Sequence, residues 1–128
     1  TLYFQSSYLD GESEVNGIKV GDDLSKVEAL LKPGYAHLNY EFDPYHDGCT
    51  EIGNDIYDGD LSIFDELYIM DCAITIAFEN VDGKYVMVEY DEDELAEKDV
   101  IYVTYDIADN DVYGEDINGK VYFIEVTA

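Results

Sequence analysis

The chain has 128 residues, of which 31 are Asp or Glu and only six are Lys, with no Arg, so its formal net charge is −25 at pH 7. That balance excludes a nucleic-acid surface, which needs Lys and Arg to neutralise phosphates and release counterions, and it opposes contact with an anionic membrane. Hydrophobic residues make up 47% of the chain, with thirteen Tyr and five Phe, which separates it from acidic disordered sequences and supplies material for one core.

Residues 1–6, Thr-Leu-Tyr-Phe-Gln-Ser, read as the tail of an engineered protease-recognition sequence and are set aside. Residues 7–16 are polar and acidic and read as a tether, leaving residues 17–128 as a single domain. Within it, Asp22 or Asp23 is placed to cap a helix, Leu24, Val27, Leu30 and Leu31 give an apolar stripe, and Pro33-Gly34 ends it. Ile18 and Val20 form a short extended lead-in. From Tyr35 to Asp60 the pattern loosens, with one alternation at Leu38, Tyr40 and Phe42 that suits an edge strand.

Strand-like runs rich in β-branched and aromatic residues follow at 61–70, 72–79, 85–90, 100–107 and 120–126. Asp82-Gly83 joins the second run to the third and Asn118-Gly119 precedes the last, both suited to tight turns with positive φ. Ile74, Ile76 and Phe78 share a face, as do Val86, Val88 and Tyr90, and Ile101, Val103 and Tyr105; these faces should meet the helix. The acidic segment 91–98 is either a turn or two of helix or a solvated loop. The expected fold is therefore α+β, with one principal N-terminal helix packed on an antiparallel sheet of about five strands.

No apolar run reaches the roughly 18 to 20 residues that span a bilayer. The charge favours a basic protein surface, a cationic ligand or a divalent cation as partner. Calcium would find oxygen ligands in Asp106, Asp109, Asp111, Glu115 and Asp116, with a second cluster at Asp55, Asp58 and Asp60. An EF-hand frame starting at Asp109 fails, because Lys120 falls where the bidentate Glu belongs. His37, His46, Cys49 and Cys72 could supply zinc ligands, though their spacing matches no standard zinc module. Cys49 and Cys72 form a candidate disulfide in an exported protein, closing a loop worth about 3 kcal/mol; in the cytosol they would be two reduced thiols.

Catalysis has little to build on. No pair of carboxylates is singled out, a thiolate at Cys49 would lack the electropositive setting it needs, and phosphate-binding loops and Arg clamps are missing from the sequence. The tyrosines point elsewhere: Tyr85, Tyr102 and Tyr122 fall on strand faces beside or opposite the aliphatic ones and would make an acidic, Tyr-bearing binding face.

Gly17-Ile18-Lys19-Val20-Gly21-Asp22, followed by Val27 and Leu30-Leu31 and by Ile74-Thr75-Ile76-Ala77-Phe78 and Gly83-Lys84-Tyr85-Val86, resembles small exported domains of the β-lactamase-inhibitory-protein and outer-membrane-assembly lipoprotein type. The resemblance implies a turn entering a helix that crosses an antiparallel sheet, export as a lipoprotein-like envelope domain, a Cys49–Cys72 disulfide, and protein binding through the sheet. The early Pro33-Gly34 stop and the acidic C-terminal half depart from that pattern. The sequence thus leads to a non-catalytic binding domain, extracellular or in the cell envelope of a bacterium. The alternative is a cytoplasmic immunity or inhibitor protein that neutralises a basic toxin such as a nuclease.

Overall fold

The computed structural model of the chain describes residues 2–7, 14–108 and 119–128. In chain order the elements are β1 (Leu2–Ser7), β2 (Glu14–Val15), β3 (Ile18–Lys19), α1 (Leu24–Leu30), β4 (Ala36–Phe42), β5 (Glu51–Ile56), α2 (Ile63–Glu66), β6 (Ile69–Val81), β7 (Lys84–Met87), α3 (Glu92–Leu95), β8 (Val100–Ala108) and β9 (Lys120–Thr127). Seven strands form one antiparallel sheet in the order β1-β9-β8-β6-β4-β5, with β7 pairing the far end of β6. β2 and β3 make a separate hairpin.

This corrects the expectation of a principal helix on about five strands. α1 forms where the apolar stripe lies, with Asp23 as N-cap accepting from the Ser25 N–H, but it has seven residues and buries only Val27. Two turns cannot dominate a fold whose sheet has seven strands. The strand expected at 61–70 is also corrected: Asp60 accepts from the Ser62 N–H, α2 forms at Ile63–Glu66, and β6 starts only at Ile69.

β4, expected at an edge, lies inside the sheet between β5 and β6. Its outer neighbour β5 carries no apolar alternation, because nearly every residue of that strand is exposed. The face assigned to Val86, Val88 and Tyr90 does not hold together either. β7 ends at Met87, and Val86 is 49% exposed.

β6 is the spine. One side of it pairs with β8 from Asp71 to Glu79, while the other pairs first with β4 and then with β7. Alternation along it sends Cys72, Ile74 and Ile76 inward to a cluster with Leu38 and Tyr40 of β4, Val103, Tyr105 and Ile107 of β8, and Ile124 of β9. Val27, Ile18 and Val20 join the same cluster, so the helix and the hairpin lie on that face.

The hairpin turn is Asn16-Gly17, with φ of 56° and 78°, a conformation Asn and Gly tolerate better than other residues. Part of the presumed tether is therefore structured, since Glu14 and Val15 pair with Lys19 and Ile18. The hairpin is tied to the core by fully buried Tyr105, whose hydroxyl donates to the Val15 carbonyl at 2.9 Å and accepts from Asn16 Nδ2 at 3.2 Å. Leu2 to Ser6 of the stretch set aside as an engineered tail are also in the sheet, within β1.

Candidate functional site on the outer sheet face

The residues between the inward ones on each strand form the second face of the sheet. Register lines them up in rows: Ile56, His37, Thr75, Thr104 and Glu125; Asn54, Asn39, Ala73, Asp106 and Phe123; Ile52, Glu41 and Asp71. A fourth pair, Ala77 and Tyr102, continues toward β7. The middle of this face is small and half-buried, with Thr75 and Thr104 sharing a hydrogen bond at 3.0 Å. One end is aromatic and the other acidic.

At the aromatic end Tyr90 stacks on His37, with ring centroids 5.3 Å apart and planes within 17°, and meets Tyr102 edge-on at 6.3 Å. Tyr90 reaches this place because its N–H bonds the Gly34 carbonyl after β7 has ended. Beside it lies a cleft of about 430 Å³ lined by Gly34, Ile56, Glu89, Tyr90, Asp91, Glu92 and Asp93. Asp91 caps α3, accepting from the Asp93 and Glu94 N–H groups, which holds the acidic turn against the aromatic ring. Burial, then the neighbouring Tyr102 and Glu92, push the Tyr90 hydroxyl above its ordinary pKa.

At the acidic end Asp71 and Asp106 are partly buried between Glu41 and Glu125. Burial first, then the charges of Asp71 and Glu125, push Asp106 up to about 7. Asp71 is raised too, mainly by burial, with the Tyr122 hydroxyl bond opposing and Glu41 adding to the shift. Its Oδ1 is enclosed and has no hydrogen-bond partner. Near neutral pH this end therefore carries less charge than its carboxylates would suggest.

The expected Tyr face is divided. Tyr102 and Tyr122 belong to the outer face, Tyr102 opposite Ala77 and Tyr122 bonded to Asp71. Tyr85 pairs with Asn80, one position out of step with the outer-face residue Glu79, so it projects to the other side, 52% exposed on the β6–β7 hairpin. Of the calcium candidates, Asp106 lies on the outer face, while Asp109, Asp111, Glu115 and Asp116 fall outside the described residues. In the second acidic cluster, Asp55 and Asp60 already have structural bonds, to the Tyr40 hydroxyl and the Ser62 N–H.

The zinc candidates are scattered. His37 is on the outer face, His46 lies edge-on to Tyr68 in the β4–β5 loop, and Cys72 is on the inner face. Among the described residues no group of three or more His, Cys, Asp or Glu side chains is placed to hold a metal ion. The structure does not form the expected Cys49–Cys72 disulfide. Both cysteines are free, Cys49 exposed in a loop and Cys72 wholly inside the core. That loop is held by buried Asp43, which accepts from the Asp47 and Gly48 N–H groups. Burial, and then the charges of Asp71 and Asp106, raise the Cys72 thiol further from reactivity.

Sequence reasoning missed the Tyr90–His37 stack. The alternation of Val86, Val88 and Tyr90 had pointed Tyr90 at the helix, and the only signal against it was the following run of carboxylates, which ends a strand. Comparison with protein-family models, curated proteins and solved structures finds no match to the chain.

Proposed function

We propose that this chain is a non-catalytic binding domain that takes a basic protein surface or cationic ligand on its outer sheet face. One observation carries the reading: an aromatic stack of His37, Tyr90 and Tyr102 stands next to a cleft walled by Glu89, Asp91, Glu92 and Asp93. A Lys ammonium entering that cleft would meet both carboxylates and the face of a Tyr ring, and the two attractions add. The net charge of −25 would speed the encounter.

The test is an NMR titration with a Lys-rich peptide at physiological salt. Shifts concentrated on His37, Tyr90, Tyr102 and Asp91 are expected. Shifts spread evenly over every acidic loop, Asp58 and Asp60 included, would reduce the interaction to bulk charge and sink the proposal.

A second reading concerns compartment. The free thiols of Cys49 and Cys72 support a cytoplasmic inhibitor of a basic protein over an exported, envelope-anchored domain. Thiol titration of unfolded protein purified without reductant should give two free thiols per chain; none would return the reading to export.

A further inference from the structure

The outer edge of β9 is paired in two stretches. Around Val121 it is joined by the lead into α1: Gly21 N–H donates to the Val121 carbonyl at 2.7 Å, Val121 N–H to the Asp22 carbonyl at 2.8 Å, and Leu24 N–H to the Gly119 carbonyl at 2.9 Å. From Phe123 to Thr127 it is joined by β1, with Ser7 opposite Phe123, Ser6 opposite Ile124, Gln5 opposite Glu125 and Phe4 opposite Val126. All of β1 except Ser7 belongs to the stretch that reads as engineered sequence. On that reading, the edge has accepted a segment that did not evolve with it.

We propose that the Phe123–Thr127 edge of β9 is a strand-addition site for an extended segment of a partner protein, antiparallel to β9 and with a basic residue opposite Glu125. Ladder bonds come from the backbone, so the edge admits many sequences, and side-chain neighbours set the preference. On the inner face the neighbours are Ile124, fully buried, and Val126, 9% exposed, which favour small or apolar residues in the incoming strand. On the outer face the neighbour is Glu125, with Asp106 on the adjoining strand, and a Lys at that position pairs across the ladder with opposite charge. A second copy of this chain is the poorer occupant, because it would set two chains of charge −25 side by side.

The edge is distinct from the aromatic cleft, so the two ideas can fail separately. In the full chain, Gln5→Pro with Ser6→Pro removes N–H donors at adjacent positions, one of which must serve the ladder, and so frees the edge. A labelled peptide Thr-Leu-Tyr-Phe-Lys-Ser-Ser should bind this variant about ten-fold more tightly than it binds the unsubstituted chain, and about ten-fold more tightly than its Glu-for-Lys counterpart does. Hydrogen exchange should slow at Phe123–Thr127 when it binds. Equal binding by both chains, protection elsewhere, or no binding would overturn the proposal, as would sedimentation as a dimer with those amides protected.

Should the double variant not fold, Gln5→Lys supplies a second test. Its melting temperature should rise above that of Thr50→Lys, which changes net charge equally at an exposed loop position; an equal or smaller rise would overturn the basic preference. Peptide-induced shifts at His37, Tyr90 and Tyr102 without protection of β9 would remove the edge and leave the cleft standing.

Discussion

Tyr40 lies inward on β4 directly opposite Gly53 of β5, and its ring occupies the space a side chain at Gly53 would need, so that an added Cβ would overlap the ring carbons. The ring is fixed by its hydroxyl, which donates to Asp55 at 2.6 Å and is pushed up to about 12 by that bond and by burial. Gly53→Ala should therefore destabilise the protein by about 1–3 kcal/mol, the usual cost of overpacking, by forcing the ring or the edge strand to move. Chemical denaturation checks this; a change within error would show that β5 yields freely.

Asp106 has the other residue-scale consequence. Its folded value of about 7 lies above the ordinary carboxylate value near 4, so between those pH values the unfolded chain gives up a proton the folded chain keeps. Its contribution to stability is then fully present below about pH 4 and is lost as pH rises to about 7. Asp71 acts in the same direction. Asp23 and Asp43 act oppositely: backbone N–H bonds hold Asp23 low and outweigh burial at Asp43, so their contributions are lost only in stronger acid. The melting temperature should peak in mild acid. Asp106→Asn should raise it at pH 8 by a few degrees and leave it nearly unchanged at pH 4, and parallel pH curves for the two proteins would refute the assignment.

At the scale of elements, caps and turns were readable and contacts were not. Asp23 caps α1 as the residue types suggested, and Asp23→Ala should cost about 1 kcal/mol by leaving the first helical N–H groups without an acceptor. Thermal unfolding would show it, and no loss would mean that the isolated bridge of Asp23 with Lys120 holds this segment without the cap. Asp82-Gly83 turns β6 into β7 with φ of 52° and 85°, the conformation the dipeptide favours. β5 was not readable, since an exposed edge strand has no buried side to leave a period of two. α2 was misread because Leu61, Ile63, Phe64 and Leu67 are apolar in a run too short to separate helix from strand.

The whole molecule carries a charge that no fold could neutralise with six Lys, of which Lys26 pairs with Asp22 at 3.4 Å. Self-repulsion therefore opposes the compact state, and screening should relieve it. Raising sodium chloride from about 20 mM to about 0.5 M should lift the melting temperature by several degrees, while calcium at equal ionic strength should add little beyond screening. A large extra rise with calcium would point to ligands in 109–118, outside the described residues.

Composition, charge, turn dipeptides and the inward alternation of β6 and β8 were determined by the sequence alone, because they depend on residue types a few positions apart. Which strands lie side by side depends on pairings across much of the chain, and a period of two gives each strand two faces without saying which neighbours share them. Only the tertiary structure could therefore part Tyr85 from Tyr102, keep Cys49 from Cys72, and bring His37 of β4 under Tyr90, 53 residues later.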